Sequence, residues 1–169
     1  LCSLHMMGFQ NPDAKSLAER CGIAFQLTNI LRDLREDAAA GRVYLPLEDF
    51  ERFSYSPSQL AAGIENQAFR DLMRHEIRRA RAYYAEAAPL IGMVAPESRA
   101  ALWALISIYQ GVLAVIEQNV EGHGRGNGSG VLARRASLSE MEKVILVLRA
   151  AGKQLQLRAG GKPDWRLRA

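Results

Sequence analysis

The segment from Gly22 to Pro46, GIAFQLTNILRDLREDAAAGRVYLP, limits most strongly what this chain can fold into. Its apolar residues recur at helical spacing, so it reads as the second half of a long helix that ends at Gly41. At about 100° per residue, Gln26, Asn29, Asp33 and Asp37 fall within an arc of roughly 80°, with Gly22 on the same side. Leu27, Ile30, Leu31 and Leu34 cover most of the remaining circumference. Carboxylates at i and i+4 stand one above the other on a helix and repel if nothing compensates them, more so when buried. A cation between Asp33 and Asp37 is an economical remedy, and hard divalent ions such as Mg²⁺ take oxygen ligands of this kind. Arg42 and Tyr44 follow a turn that can fold them back towards the acidic end. The plainer reading is an acidic pair on a solvated face. The uncharged amides beside it and the apolar flanks favour a cavity wall.

The rest of the chain reads as helices separated by Gly and Pro. Leu1 to Phe9 reads as the end of a helix, and the whole sequence as a piece of a longer protein. Asn11-Pro12 is a start signal for a helix from about Pro12 to Ala40. Arg42 to Phe53 is a connector, and Ser56-Pro57 opens a short turn of helix ending near Gly63. A second long helix runs from about Glu65 to Ala88, with Phe69, Leu72, Met73, Ile77, Ala80 and Tyr84 on its apolar stripe. Its arginines Arg70, Arg74, Arg78, Arg79 and Arg81 lie among Glu65, Asp71, Glu76 and Glu86, as on a solvated, ion-paired face. A third helix, from Pro96 to about Asn119, is apolar nearly all round and reads as buried. Gly122 to Gly130 reads as a flexible loop. Ser137 and Glu140 form a plausible capping box for a last helix, about Leu138 to Ala151. No strand-like alternation stands out. The fold class is all-α: one helical bundle domain over residues 1–151, followed by a basic tail over 152–169.

Charge and composition exclude several functions. Of 22 basic and 18 acidic residues, the tail holds Lys153, Arg158, Lys162, Arg166 and Arg168 against Asp164, which leaves the body neutral. A neutral body argues against nucleic acid as a partner. The tail reads as disordered and solvated. Its second reading is contact with anionic lipid, at about 1 kcal/mol per basic residue near a surface. The run from Ala100 to Ile116 is interrupted by Tyr109 and Gln110 and reads as a core helix, not a membrane span. Two cysteines, Cys2 and Cys21, give neither a disulfide framework nor a thiolate metal site. The expected location is cytoplasmic, peripheral at the inner face of the membrane on the second reading of the tail. His5, His75 and His123 lack ligand spacing and read as surface or loop residues. GHGRGNGSG lacks the Lys-Ser/Thr ending and preceding strand of a phosphate-binding loop.

AFQLTNILRDLREDAAAGRVYLPLEDF resembles the second aspartate-rich region of the squalene/phytoene synthase family. The matching string, QLxNIxRDxxEDxxxGRxYLP, is long and specific. GRVYLPLEDFERF together with AFQLTN is most similar to bacterial hopanoid-pathway members of the presqualene diphosphate synthase type, with phytoene synthases close behind. The resemblance implies the C-terminal portion of an isoprenoid-synthase helical bundle. It implies that Asp33 and Asp37 hold Mg²⁺, one of two acidic motifs facing each other across a cavity. Gln26 and Asn29 would line the same wall. Arg42, Tyr44 and Arg135 would lie at the diphosphate, and Tyr109 near the leaving group. The implied substrates are prenyl diphosphates: two farnesyl diphosphates joined head to head into presqualene diphosphate and onward to squalene, or geranylgeranyl diphosphate in a phytoene synthase. The first acidic motif is not in this chain, so the piece alone is expected to be inactive and prone to aggregate. A degenerate, non-catalytic helical scaffold is the competing reading.

Overall fold

The structure, a computed structural model, describes residues 7–8, 12–122, 131–132 and 135–167. These residues form helices α1 (Ala14–Ala39), α2 (Leu47–Arg52), α3 (Pro57–Ala61), α4 (Gln67–Ala87), α5 (Leu90–Met93), α6 (Arg99–Val120) and α7 (Glu140–Arg158), with a 3₁₀ turn at Pro96–Ser98. Among the described residues there is no β-ladder, only an isolated bond from Ala95 N–H to Gly8 C=O at 3.0 Å. The expected capping Asn11, and the loop at 123–130, lie outside the described residues.

The described residues group into two compact units. The first comprises Leu1–Phe25, Arg81–Gly111 and Leu138–Ala169; the second comprises Gln26–Ala80 and Val112–Ser137.

In the first unit the core is built from Cys21, Ala24, Tyr84, Leu90, Ile91, Val94, Leu102, Trp103 and Ile106. Phe25 packs against Tyr109 with ring centroids 4.4 Å apart, and against Tyr84 at 6.0 Å. α7 differs from the sequence reading at both ends. Its capping box is Ser139 with Glu142, two residues beyond Ser137 and Glu140, and it runs through Gly152 to Arg158. In the chain beyond it Pro163 is buried, while Lys162, Asp164 and Arg166 are exposed. Lys153 Nζ sits between the Trp103 and Trp165 rings, at 4.9 and 5.6 Å from their centroids, and Trp103 Nε1–H donates to Arg166 C=O at 3.4 Å. Two indoles and an ammonium supply the packing that the basic composition hides. α7 also leaves Met141, Val144, Ile145, Val147, Leu148 and Leu155 exposed, an apolar arc of roughly 160°.

In the second unit Leu31, Leu34 and Ala38 of α1 meet a core of Phe50, Tyr55, Leu60, Phe69, Leu72, Met73 and Ile77, joined by Leu113 and Ile116 of α6. Phe50 stacks on Tyr55 at 6.0 Å and Tyr55 tilts against Phe69 at 5.5 Å. Ser56 caps α3 in a capping box with Gln59. α6 is not buried all round. Leu102, Ile106, Leu113, Ile116 and Val120 form one buried stripe, while Leu105 is exposed. The span Pro96–Val120 is long and apolar enough to cross a membrane by length and composition, with 33% of its apolar window buried.

Candidate active site

The acidic turn near the end of α1 is built by helix spacing and by the turn that follows. Gly41, at φ +71°, takes the left-handed conformation that stops the helix. Its N–H bonds Ala38 C=O at 3.0 Å, and Arg42 N–H bonds Asp37 C=O at 2.8 Å. That reversal returns the Arg42 side chain to its own helix, where Nε and Nη2 donate to Asp37 Oδ1 at 3.2 and 3.1 Å. Asp33 receives two arginines. Arg32 grips it in a fork, Nε to Oδ1 at 2.9 Å and Nη2 to Oδ2 at 2.7 Å, and Arg135 Nε donates to Oδ1 at 2.8 Å. The hydrogen bonds from Arg32 hold the Asp33 carboxyl below its ordinary range, outweighing the opposite pull of burial, with the Arg32 charge and Arg135 adding to the effect.

The compensation anticipated for this pair of acids is therefore supplied in the structure by guanidinium groups. Both carboxylates are 20% exposed, so neither is sealed in the core nor fully solvated. One turn before Asp33, Asn29 Oδ1 is buried and accepts no hydrogen bond among the described residues. Gln26, a turn earlier in the same arc, is exposed. Tyr44 stands 54% exposed, and no hydrogen bond or ring contact ties it to the acidic end among the described residues. All the expected site residues except Tyr109 belong to the second unit. Tyr109 belongs to the first, half-buried against Phe25.

These residues suit a hard cation. Two carboxylates one turn apart and an unclaimed amide oxygen a turn earlier are oxygen donors, and magnesium needs only one or two carboxylates when phosphate and water complete its shell. Arg32 went unnoticed in the sequence, although an Arg directly before the first Asp was there to be read.

A second charged cluster was missed altogether. Asp49, His75 and Glu76 each offer a ligand atom within 4.8 Å of the others. Glu76, read as part of a solvated face, is 0% exposed, and His75 is half-buried beside the Phe53 ring at 5.2 Å. Arg79 Nη1 bonds Asp49 Oδ2 at 2.9 Å and Glu76 Oε1 at 3.0 Å. Burial pushes the Glu76 carboxyl up to about 7, against the Arg79 charge. Burial would raise Asp49 as well, but hydrogen bonds from Arg79 and Glu76 outweigh it and hold that carboxyl low. Burial and the Arg79 charge lower His75. The cation of this cluster is Arg79, and the cluster ties α2 to α4.

The squalene/phytoene synthase family pattern matches residues 1–142. The chain is 48% identical over 124 residues to a 15-cis-phytoene synthase of Synechocystis sp., covering 73% of this chain and 34% of that protein. It is 40% identical over 132 residues to a phytoene synthase of Arthrospira platensis, covering 70% and 43%. The chain thus spans well under half the length of these relatives. A crystal structure of a dehydrosqualene synthase with ligand superposes with a TM-score of 0.69 at 26% identity, over 89% of this chain and 50% of that one. The fold is that of the isoprenoid-synthase helical proteins, and the chain belongs to the squalene/phytoene synthase family.

Proposed function

We propose that the whole protein joins two allylic prenyl diphosphates head to head, and that the second unit forms the wall that takes up a departing diphosphate. The observation that carries this reading is the acidic turn: Asp33 and Asp37 part-exposed one turn apart, three guanidinium groups already on them, and Asn29 Oδ1 unclaimed beside them. Asp33, Asp37 and Asn29 would hold magnesium. When bound, that ion supplies charge neutralisation to the leaving diphosphate.

The chain's own residues do the rest. Arg42 and Arg135 are 54% and 52% exposed and each spends only part of its donor set on a carboxylate. An arginine carries five N–H donors in a planar fork, which matches phosphate oxygens. An arriving diphosphate would draw these donors from the carboxylates, leaving the acids to the metal. Fixed donors aimed at developing negative charge are usually the largest contribution to such a step. Leu31 and Leu34 pack into the core of the second unit and so hold the helix that carries the acids. Tyr109 is assigned to the leaving-group side on the family resemblance, and Gln26 and Tyr44 to the substrate wall.

Substrate length has two readings. The relatives named phytoene synthase support geranylgeranyl diphosphate and phytoene. The AFQLTN and GRVYLPLEDFERF segments support farnesyl diphosphate and presqualene diphosphate. Analysis of the lipid made by the full-length enzyme from each diphosphate separates them.

The binding role is tested on the full-length protein by calorimetry with pyrophosphate in the presence of Mg²⁺. Asp33→Ala and Asp37→Ala are each expected to weaken binding by roughly tenfold or more, the scale of a lost charge-assisted contact. Glu76→Gln is expected to leave it unchanged. A non-catalytic scaffold predicts no binding by any variant, and loss with Glu76→Gln alone would move the metal site to the second cluster.

A further inference from the structure

The residues that follow the glycine-rich stretch are tied down before the chain reaches Arg135. Glu65 Oε1 accepts the Leu132 N–H at 2.7 Å and Oε2 accepts the Val131 N–H at 3.0 Å. Arg35 Nη1 donates to the Leu132 carbonyl at 3.0 Å. Leu132 itself is buried. Three residues later, Arg135 Nε reaches Asp33 Oδ1 at 2.8 Å. Asp33 and Arg35 lie two residues apart on α1, so one helix receives both the backbone anchor and the arginine.

Glu65 is held in place from both sides. Gly63, at φ +69°, turns the chain out of α3. Tyr55 O–H donates to the Ile64 carbonyl at 2.7 Å, and Asn66 Oδ1 accepts the Phe69 N–H at 2.9 Å, capping α4. The carboxylate between these fixed points takes two consecutive backbone N–H groups, each a charge-assisted bond stronger than a neutral one. Arg135 is half exposed, and its long side chain would otherwise sample many rotamers. Anchoring the chain at Val131 and Leu132 narrows where its guanidinium can go.

We propose that Glu65 is a positioning residue of the acidic site: by clasping the Val131 and Leu132 amides it fixes the chain three residues ahead of Arg135, so that Arg135 meets Asp33 and a diphosphate bound beside it. The inference rests on the reading of Asp33 and Arg135 as part of a diphosphate-binding wall. Glu65 does not touch the diphosphate and acts through Arg135.

The test compares the full-length protein with its Glu65→Gln, Glu65→Ala, Arg135→Ala and Glu65→Ala/Arg135→Ala variants. One readout needs no ligand: the ¹⁵N-detected Nε–H resonance of Arg135, shifted and slow to exchange while it donates to Asp33. Glu65→Ala should return it to the position of a solvated arginine, and Glu65→Gln, which keeps one acceptor, should give an intermediate. The second readout is affinity for pyrophosphate with Mg²⁺. Glu65→Ala should weaken it by roughly tenfold, and the double variant should bind no more weakly than Arg135→Ala alone. An Arg135 resonance unmoved by Glu65→Ala overturns the inference, as does a double variant weaker than Arg135→Ala or an affinity indifferent to Glu65. A wild-type chain with no affinity for magnesium pyrophosphate overturns the proposed function instead, and the Arg135 resonance still decides whether Glu65 places that side chain.

Discussion

Asp33 and Asp37 share their surroundings with Arg32, Arg42 and Arg135, so the acidic turn carries little uncompensated charge before any ligand arrives. A metal ion must compete with guanidinium groups for these oxygens, while an anion must compete with carboxylates for the arginines. Each ligand removes the other's competitor, and coupling of this kind is reciprocal. Mg²⁺ alone is expected to bind weakly, with pyrophosphate tightening it roughly 5–150-fold, the usual range of such coupling. Titrations run in both orders should return the same factor.

The Asp49–Glu76 pair makes a pH prediction. Folded Glu76 holds its proton up to about pH 7, against an ordinary 4.5. The folded state therefore binds more protons than the unfolded chain between these values. The stabilisation is fully present below 4.5 and is lost as pH rises through 7. Asp49, held low, behaves oppositely, its contribution being lost as pH falls below its ordinary 3.8. His75, also lowered, adds a term of opposite sign to that of Glu76 in the window it shares. Denaturant unfolding should show wild type losing about 1–3 kcal/mol more than Glu76→Gln from pH 4.5 to 7.5.

At the scale of elements, the caps show what a sequence can and cannot fix. ASLSEMEK contains two overlapping S-x-x-E frames. Periodicity cannot choose between them, because both place the same apolar residues on the helix. The structure takes the second, in which Ser139 Oγ accepts the Glu142 N–H at 3.3 Å and Glu142 returns a bond to the Ser139 N–H at 2.9 Å. Glu140 is left to pair with Lys143 at 2.7 Å. Ser139→Ala should therefore cost about 1 kcal/mol in thermal unfolding, while Ser137→Ala should be nearly neutral. The stop at Gly41 was readable because only a residue at ease in the left-handed conformation ends a helix there cheaply. The return of Arg42 onto Asp37 follows from that stop. Tyr44, two residues further, had no such constraint and faces solvent.

For the whole molecule, the helical content and the acidic turn were legible because both are local: spacing along one helix determines them. What was not legible depends on contacts distant in sequence. Arg135 finds Asp33, Glu65 finds the Leu132 amide, and Asp49 finds Glu76 and Arg79 across long separations. Glu76 stands four residues from both Leu72 and Ala80, inside the apolar arc of α4, so spacing alone marks it as turned inward; what spacing does not show is the Asp49 it meets there. The apolar arc of α7 was hidden for a related reason, since amphipathic spacing shows that a helix has an oily side but not whether that side is covered. The chain is accordingly expected to associate in solution at micromolar concentration, and a Leu148→Glu/Leu155→Glu variant should scatter less light without losing helicity. Association through that arc would make thermal stability a property of the sample as well as of the sequence. The wild-type melting midpoint should move when the solution is diluted, and that of the doubly charged variant should stay where it is.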